Sequence, residues 1–149
     1  MRSSIIIMPE DAALDQIDDQ IFIGDAESHK QAKEKGIRHI LNVAKEVDYA
    51  PPKGVDYKKV PLTDDGGNPC SEIQEAVDVL AKMIEAGGKV LVHCRAGVSR
   101  SVSIVAAYYH RYEGWPLQGA LEAIKEKRPV ANPRVPMWSS IILCTAMYG

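Results

Sequence analysis

The chain has 149 residues, 46% of them hydrophobic and 26% charged, a length that supports one ordinary core and leaves no room for a second domain. Eighteen basic residues against twenty acidic ones give a net charge of −2. That balance excludes general affinity for nucleic acid or an anionic membrane as the main task, while allowing a local basic pocket. The three cysteines, Cys70, Cys94 and Cys144, contain no C-x-x-C pair. They suggest neither a disulfide framework nor a cysteine-rich zinc site, and point to a reducing, cytoplasmic setting.

The first apolar run, Ile5-Ile6-Ile7-Met8, is closed by Pro9 and Glu10 and is too short for a signal-peptide core or a membrane span. Residues 1–149 therefore read as a single soluble domain, most simply a monomer. A short strand is predicted at Gln20-Ile21-Phe22-Ile23, then a helix over 27–35 that Gly36 ends. The branched run Ile37-Arg38-His39-Ile40-Leu41-Asn42-Val43 predicts a buried strand, and residues 57–60 the next one. Ile73, Ala76, Val77, Leu80, Met83 and Ile84 recur at three- and four-residue steps, which predicts an amphipathic helix stopped by Gly87-Gly88. Lys89-Val90-Leu91-Val92-His93 reads as a central strand, and 101–112 as a buried helix. Leu117, Ala120, Leu121 and Ile124 mark another helix, and Met137, Ile141, Ile142 and Thr145 a last one. This alternation predicts a three-layer α/β fold, with a central mixed, mostly parallel sheet flanked by helices.

In such sheets ligands bind where strand carboxyl ends meet helix amino ends, and Cys94-Arg95-Ala96-Gly97-Val98-Ser99-Arg100-Ser101 occupies such a junction. If the backbone from Arg95 to Ser99 wraps into a nest, its N–H groups and the following helix dipole form a site for a tetrahedral oxyanion. Gly97 permits the left-handed turn that wrapping requires. Arg100 can present parallel donors to two phosphate oxygens, a geometry lysine lacks. A cysteine at the base of the nest feels the same field, so Cys94 is expected as a resting thiolate and nucleophile. The Ser101 hydroxyl can then stabilise the sulfur as a leaving group.

His93 through Ser101 resembles the H-C-x-x-G-x-x-R-S/T signature of the cysteine-based protein tyrosine phosphatases, in particular their dual-specificity branch. The runs Ile21-Phe22-Ile23-Gly24-Asp25-Ala26 and Gly36-Ile37-Arg38-His39-Ile40-Leu41-Asn42-Val43 are similar to that branch's first strand and its "G-I-x-x-I-L-N" strand. The resemblance implies the compact phosphatase fold and metal-free, cofactor-free hydrolysis of phosphotyrosine, extending to phosphoserine and phosphothreonine in proteins. It also implies a general-acid loop about thirty residues before the nucleophile. The polar stretch from Val60 to Pro69 resembles that loop, with Asp64 as the acid and Asp65 as its rival on register.

His93, directly before the nucleophile, reads as a positioning residue. His29, His39 and His110 are scattered singly, so no metal site is implied. Cys70 and Cys144 read as helix-start and core residues, and Asn132 before Pro133 as a turn residue. Arg95 reads equally as an attractor of acidic or multiply phosphorylated substrates and as an ordinary surface residue. Three other readings stay open: a phosphatase acting on an inositol phosphate, glycan or RNA end; a weak phosphate-binding module; and a sulfur transferase.

Overall fold

The computed structural model describes residues 13–148, and the Ile5-Ile6-Ile7-Met8 run lies outside them. In chain order the elements are β1 (Leu14–Gln16), β2 (Ile21–Gly24), one 3-10 turn (Ser28–Gln31), β3 (Ile37–Asn42), β4 (Asp56–Lys59), α1 (Cys70–Ala86), β5 (Lys89–His93), α2 (Arg100–Glu113), α3 (Leu117–Lys127) and α4 (Val135–Tyr148). The strands make one sheet in the order β1-β2-β5-β3-β4. It is parallel except at β1, which runs antiparallel to β2.

Alternation along the strands sorts side chains onto two faces. Ile21, Ile23, Leu41, Val90 and Val92 join a large core with Val77, Leu80, Val105, Ile124 and Met137 from the four helices. Phe22, Ile40 and Leu91 point the other way and pack with Leu14, Ala32 and Ile37. With both faces covered, the central strands read as continuous apolar runs, as parallel strands do.

The pairing also sets up the functional end of the sheet. Gly24 lies opposite His93, His93 opposite Asn42, and Asn42 opposite Lys59. Four carboxyl ends therefore finish in one row, and the segments after β2, β3, β4 and β5 emerge side by side.

Several sequence expectations are corrected in detail. The helix expected over 27–35 shrinks to the 3-10 turn, because local side chains hold the backbone in another arrangement. Asp25 Oδ1 accepts from the Glu27 amide at 2.9 Å, and Ser28 Oγ donates to Asp25 O at 2.6 Å, the competition by which Asp and Ser divert chains from helix. Strand β1 carries only three residues, too few for a period to show in sequence. The buried stripe of α4 is Met137, Ile141 and Cys144, whereas Ile142 is 48% exposed.

The largest correction concerns cysteine. Cys70 and Cys144, expected as unpaired helix-start and core residues, are joined by a disulfide, with Cα atoms 5.5 Å apart. They sit where expected, at the start of α1 and on the buried side of α4. Packing of α1 against α4 brings together residues 74 apart in sequence. Cys94 remains as the free thiol, so one bonded pair plus one thiol accounts for the odd count without reference to a reducing compartment.

Candidate active site

Cys94 follows β5 directly and is 2% exposed. Its Sγ lies 3.2 Å from Ser101 Oγ, in the first turn of α2. Between them the backbone turns its carbonyls outward, and the surrounding protein meets each one. His93 Nδ1 lies 3.1 Å from Cys94 O, and the Ala26 amide donates to Arg95 O at 2.9 Å. Arg128 Nη2 donates to Ala96 O at 3.4 Å and its Nε to Gly97 O at 2.8 Å, while the Asn132 amide donates to Val98 O at 2.8 Å.

With the carbonyls facing out, the amides of residues 95–100 face in, and among the described residues none accepts from them. Amides left without a protein acceptor in this way are successive donors available to an anion. Gly97 is required twice over. Its φ is +71°, and a Cβ there would come within 2.5 Å of Arg128 Nη2 and 2.7 Å of the Gly24 backbone.

Arg100 is buried, and its guanidinium is oriented by a residue that the sequence reading missed. Nη1 and Nη2 donate end-on to the two Glu46 carboxylate oxygens at 2.7 and 2.6 Å, and Nη1 also donates to Leu62 O at 2.9 Å. The fork expected to face phosphate is thus engaged by Glu46, while Nε is buried with no partner among the described residues. The hydrogen bonds from Arg100 hold the Glu46 carboxyl down at about 2, and Glu46 in return raises the Arg100 pKa.

His93 is fully buried. Because Cys94 O can only accept, Nδ1 carries the ring proton, and Nε2 accepts from Tyr49 Oη at 2.7 Å. Burial pushes the His93 pKa down to about 4, which favours the neutral ring held between Tyr49 and Cys94 O. Tyr49, whose own pKa burial raises, stacks on His29 with ring centroids 3.6 Å apart. The other histidines are likewise engaged by neighbours: His39 by Asp56 and Gly87 O, and His110 by Trp115 O.

The two aspartates of the acid loop are treated differently. Asp65 is exposed and folded back on its own turn, accepting from the Gly67 amide at 2.7 Å and from Thr63 Oγ1 at 2.7 Å. The Gly67 bond leads in holding its pKa below the usual carboxylate range. Asp64 instead points at the nucleophile loop: its Oδ1 accepts from Ser99 Oγ at 2.6 Å, and its Oδ2 lies 3.7 Å from Arg134 Nε. Of the two candidates, Asp64 is the one brought to the nest.

Arg95 is exposed on the rim, and Asn132 contributes its backbone while its side chain is exposed. The residues that sequence reasoning missed are those distant in the chain. Glu46, Tyr49, Arg128 and Asp15, which accepts from Arg128 Nη1 at 2.9 Å, lie 34 to 79 positions from Cys94 in the chain. One signal was available for Arg128: an arginine four residues past Ile124, directly after α3 and in line with its buried stripe, would need internal acceptors.

Residues 21–146 match the family described as dual specificity phosphatase, catalytic domain. The chain belongs to that family. This dual specificity phosphatase domain is 34% identical over 142 residues to human Protein phosphatase Slingshot homolog 2, covering 87% of this chain and 9% of the relative. Against Dual specificity protein phosphatase 1 of Arabidopsis thaliana it is 40% identical over 121 residues, covering 78% of this chain and 61% of the relative. The chain therefore spans under two thirds of either relative's length. A crystal structure of a mouse dual specificity phosphatase complexed with zinc tungstate superimposes with a TM-score of 0.83 at 26% identity, covering 95% of this chain and 90% of that one. Among the described residues no helix is long and apolar enough to cross a membrane.

Proposed function

We propose that this dual specificity phosphatase domain hydrolyses phosphotyrosine and phosphoserine or phosphothreonine in proteins, through a cysteinyl-phosphate. The observation that carries the reading is a converging set of donors around one thiol: the inward amides of residues 95–100 and the buried, unpartnered Arg100 Nε. Buried donors without acceptors are costly, and a tetrahedral oxyanion satisfies them together. The mouse relative's tungstate complex supports the same oxyanion chemistry here. With Glu46 on the end-on fork, the side-on edge of Arg100, Nε and the second Nη2 proton, faces two phosphate oxygens.

The Cys94 thiolate attacks phosphorus, an S–P bond forms as the ester O–P bond breaks, and Asp64 gives its proton to the departing oxygen. Water then attacks phosphorus and gives its proton to the Asp64 carboxylate. The S–P bond breaks, the thiolate returns under the Ser101 hydroxyl, and inorganic phosphate leaves. Nest amides and Arg100 stabilise the equatorial oxygens in both steps.

The test is turnover of p-nitrophenyl phosphate and of phosphotyrosine and phosphothreonine peptides by wild type and Cys94→Ser, with a metal chelator present. Wild type is expected to turn over both peptides and the variant none. Equal rates in the two proteins would remove Cys94 from the mechanism, and a reduced wild type that binds tungstate without turnover would make the domain a phosphate-binding module.

A further inference from the structure

Ser99, on the nucleophile loop, links it to the acid loop, and its hydroxyl both gives and accepts a hydrogen bond. It is 5% exposed. Its Oγ accepts from the Arg134 amide at 2.9 Å and lies 2.6 Å from Asp64 Oδ1. A hydroxyl has one proton to give. The Arg134 amide can only donate and takes one Ser99 lone pair, and the hydroxyl proton is given to Asp64 Oδ1. The 2.6 Å separation is the range of a hydroxyl donating to a charged carboxylate.

The direction of that bond has a chemical consequence. Oδ1 of Asp64 is held as an acceptor, so a proton on this carboxyl resides on Oδ2, the oxygen near Arg134 Nε. We propose that Ser99 is the positioning residue of the general acid: it fixes which Asp64 oxygen carries the proton and stabilises the carboxylate that forms when the proton leaves. This rests on Asp64 being the proton donor. As the ester O–P bond breaks, its electron pair goes to the leaving oxygen, the proton passes from Oδ2 to that oxygen, and the new negative charge is shared with Oδ1 under the Ser99 O–H. The reverse transfer, from attacking water to Oδ2, uses the same arrangement.

A group that acts through the acid matters most where the leaving oxygen most needs a proton. This separates Ser99 from a residue that merely shapes the loop, whose loss would slow all substrates alike. The experiment measures kcat across leaving groups, from p-nitrophenyl phosphate through phenyl phosphate to a phosphothreonine peptide, for wild type, Ser99→Ala, Ser99→Thr, Asp64→Asn and the Ser99→Ala/Asp64→Asn pair. Tungstate binding by each variant verifies that the cradle is intact.

The Ser99→Ala loss is expected to be about tenfold greater on the poorest leaving group than on the best. Ser99→Thr, which keeps a hydroxyl, is expected to recover most of that difference, and Ser99→Ala to add no leaving-group dependence in the Asp64→Asn background. A uniform loss in Ser99→Ala, or dependence that persists without Asp64, would overturn the assignment of Ser99 alone. An Asp64→Asn variant with no dependence of its own would overturn the acid reading, and the Ser99 proposal with it.

Discussion

Residues 94–100 and residues 61–69 are both irregular backbone at the carboxyl end of the sheet, yet different parts of the molecule hold them. The nucleophile loop is gripped from outside: its carbonyls are met by Ala26, His93, Arg128 and Asn132, and its arginine by Glu46. The acid loop is tied largely to itself. Asn68 Oδ1 accepts from the Thr63 amide at 2.8 Å and its Nδ2 donates to Thr63 O at 2.7 Å, while Asp65 closes the turn at Gly67. A cradle whose donors must be in place before an anion arrives is built by the whole fold. Asp64, the proposed proton donor, sits on a segment closed mainly by its own hydrogen bonds and joined to the other loop through Ser99 and Arg100.

The contrast is broken most severely by Gly97→Ala. The left-handed φ and the collision with Arg128 and the Gly24 backbone are expected together to cost about 3 kcal/mol. Displacing the nest by an ångström should lower kcat/KM at least about a hundredfold. Urea unfolding and steady-state kinetics check both, and wild-type behaviour would mean that the nest tolerates movement.

Arg128→Met tests whether the cradle depends on its distant support. It removes the donors to Ala96 O and Gly97 O and the partner of Asp15, with an expected loss of about 3 kcal/mol. Tungstate affinity should fall with stability. A variant that loses stability but binds tungstate normally would show that the loop keeps its shape unaided.

Acid sharpens the same contrast. His93 has a folded pKa of about 4 against about 6.5 unfolded, so below pH 6.5 the unfolded chain binds a proton that the folded chain refuses. Stability is therefore full above that pH and falls on the way down toward 4, by about 2 kcal/mol at pH 5. His29, also lowered by burial, adds in the same direction. Glu46, held at about 2 by Arg100, loses its share as the pH falls from the ordinary carboxylate range toward 2. Urea midpoints at pH 7 and pH 5 should differ in wild type and converge partly in His93→Gln; an undiminished slope in the variant would assign the effect elsewhere.

The smallest effect belongs to the acid loop. Asn68→Ala removes its internal tie, at about 1 kcal/mol, and is expected to lower kcat on phosphotyrosine several-fold while tungstate affinity stays near wild type. If tungstate binding fell as steeply as turnover, the two loops would not be separately held.

Most of the sheet and helix order could be read from the sequence because the signals were long: six apolar positions at helical spacing in α1, and continuous branched runs in β3 and β5. The segment after β2 was misread because Asp25 and Ser28 act through hydrogen bonds that have no period. The nucleophile loop was legible because Cys94, Gly97, Arg100 and Ser101 are nearly consecutive. Glu46 and Arg128 were not, since nothing near them in the chain says that one will orient Arg100 and the other hold Gly97 O. The Cys70–Cys144 bond was hidden for the same reason: the packing of α1 on α4 defines it, and no spacing rule does.

That bond also divides the molecule by connectivity. It closes a covalent ring from residue 70 to residue 144, and the ring holds β5, the nucleophile, Arg100 and Arg128. Asp64, Glu46 and the other four strands lie on the open tail before it. A single main-chain break inside the ring leaves one covalent molecule, whereas a break in residues 61–69 yields two separable chains. One carries the whole anion cradle, and the other most of the sheet on which that cradle rests.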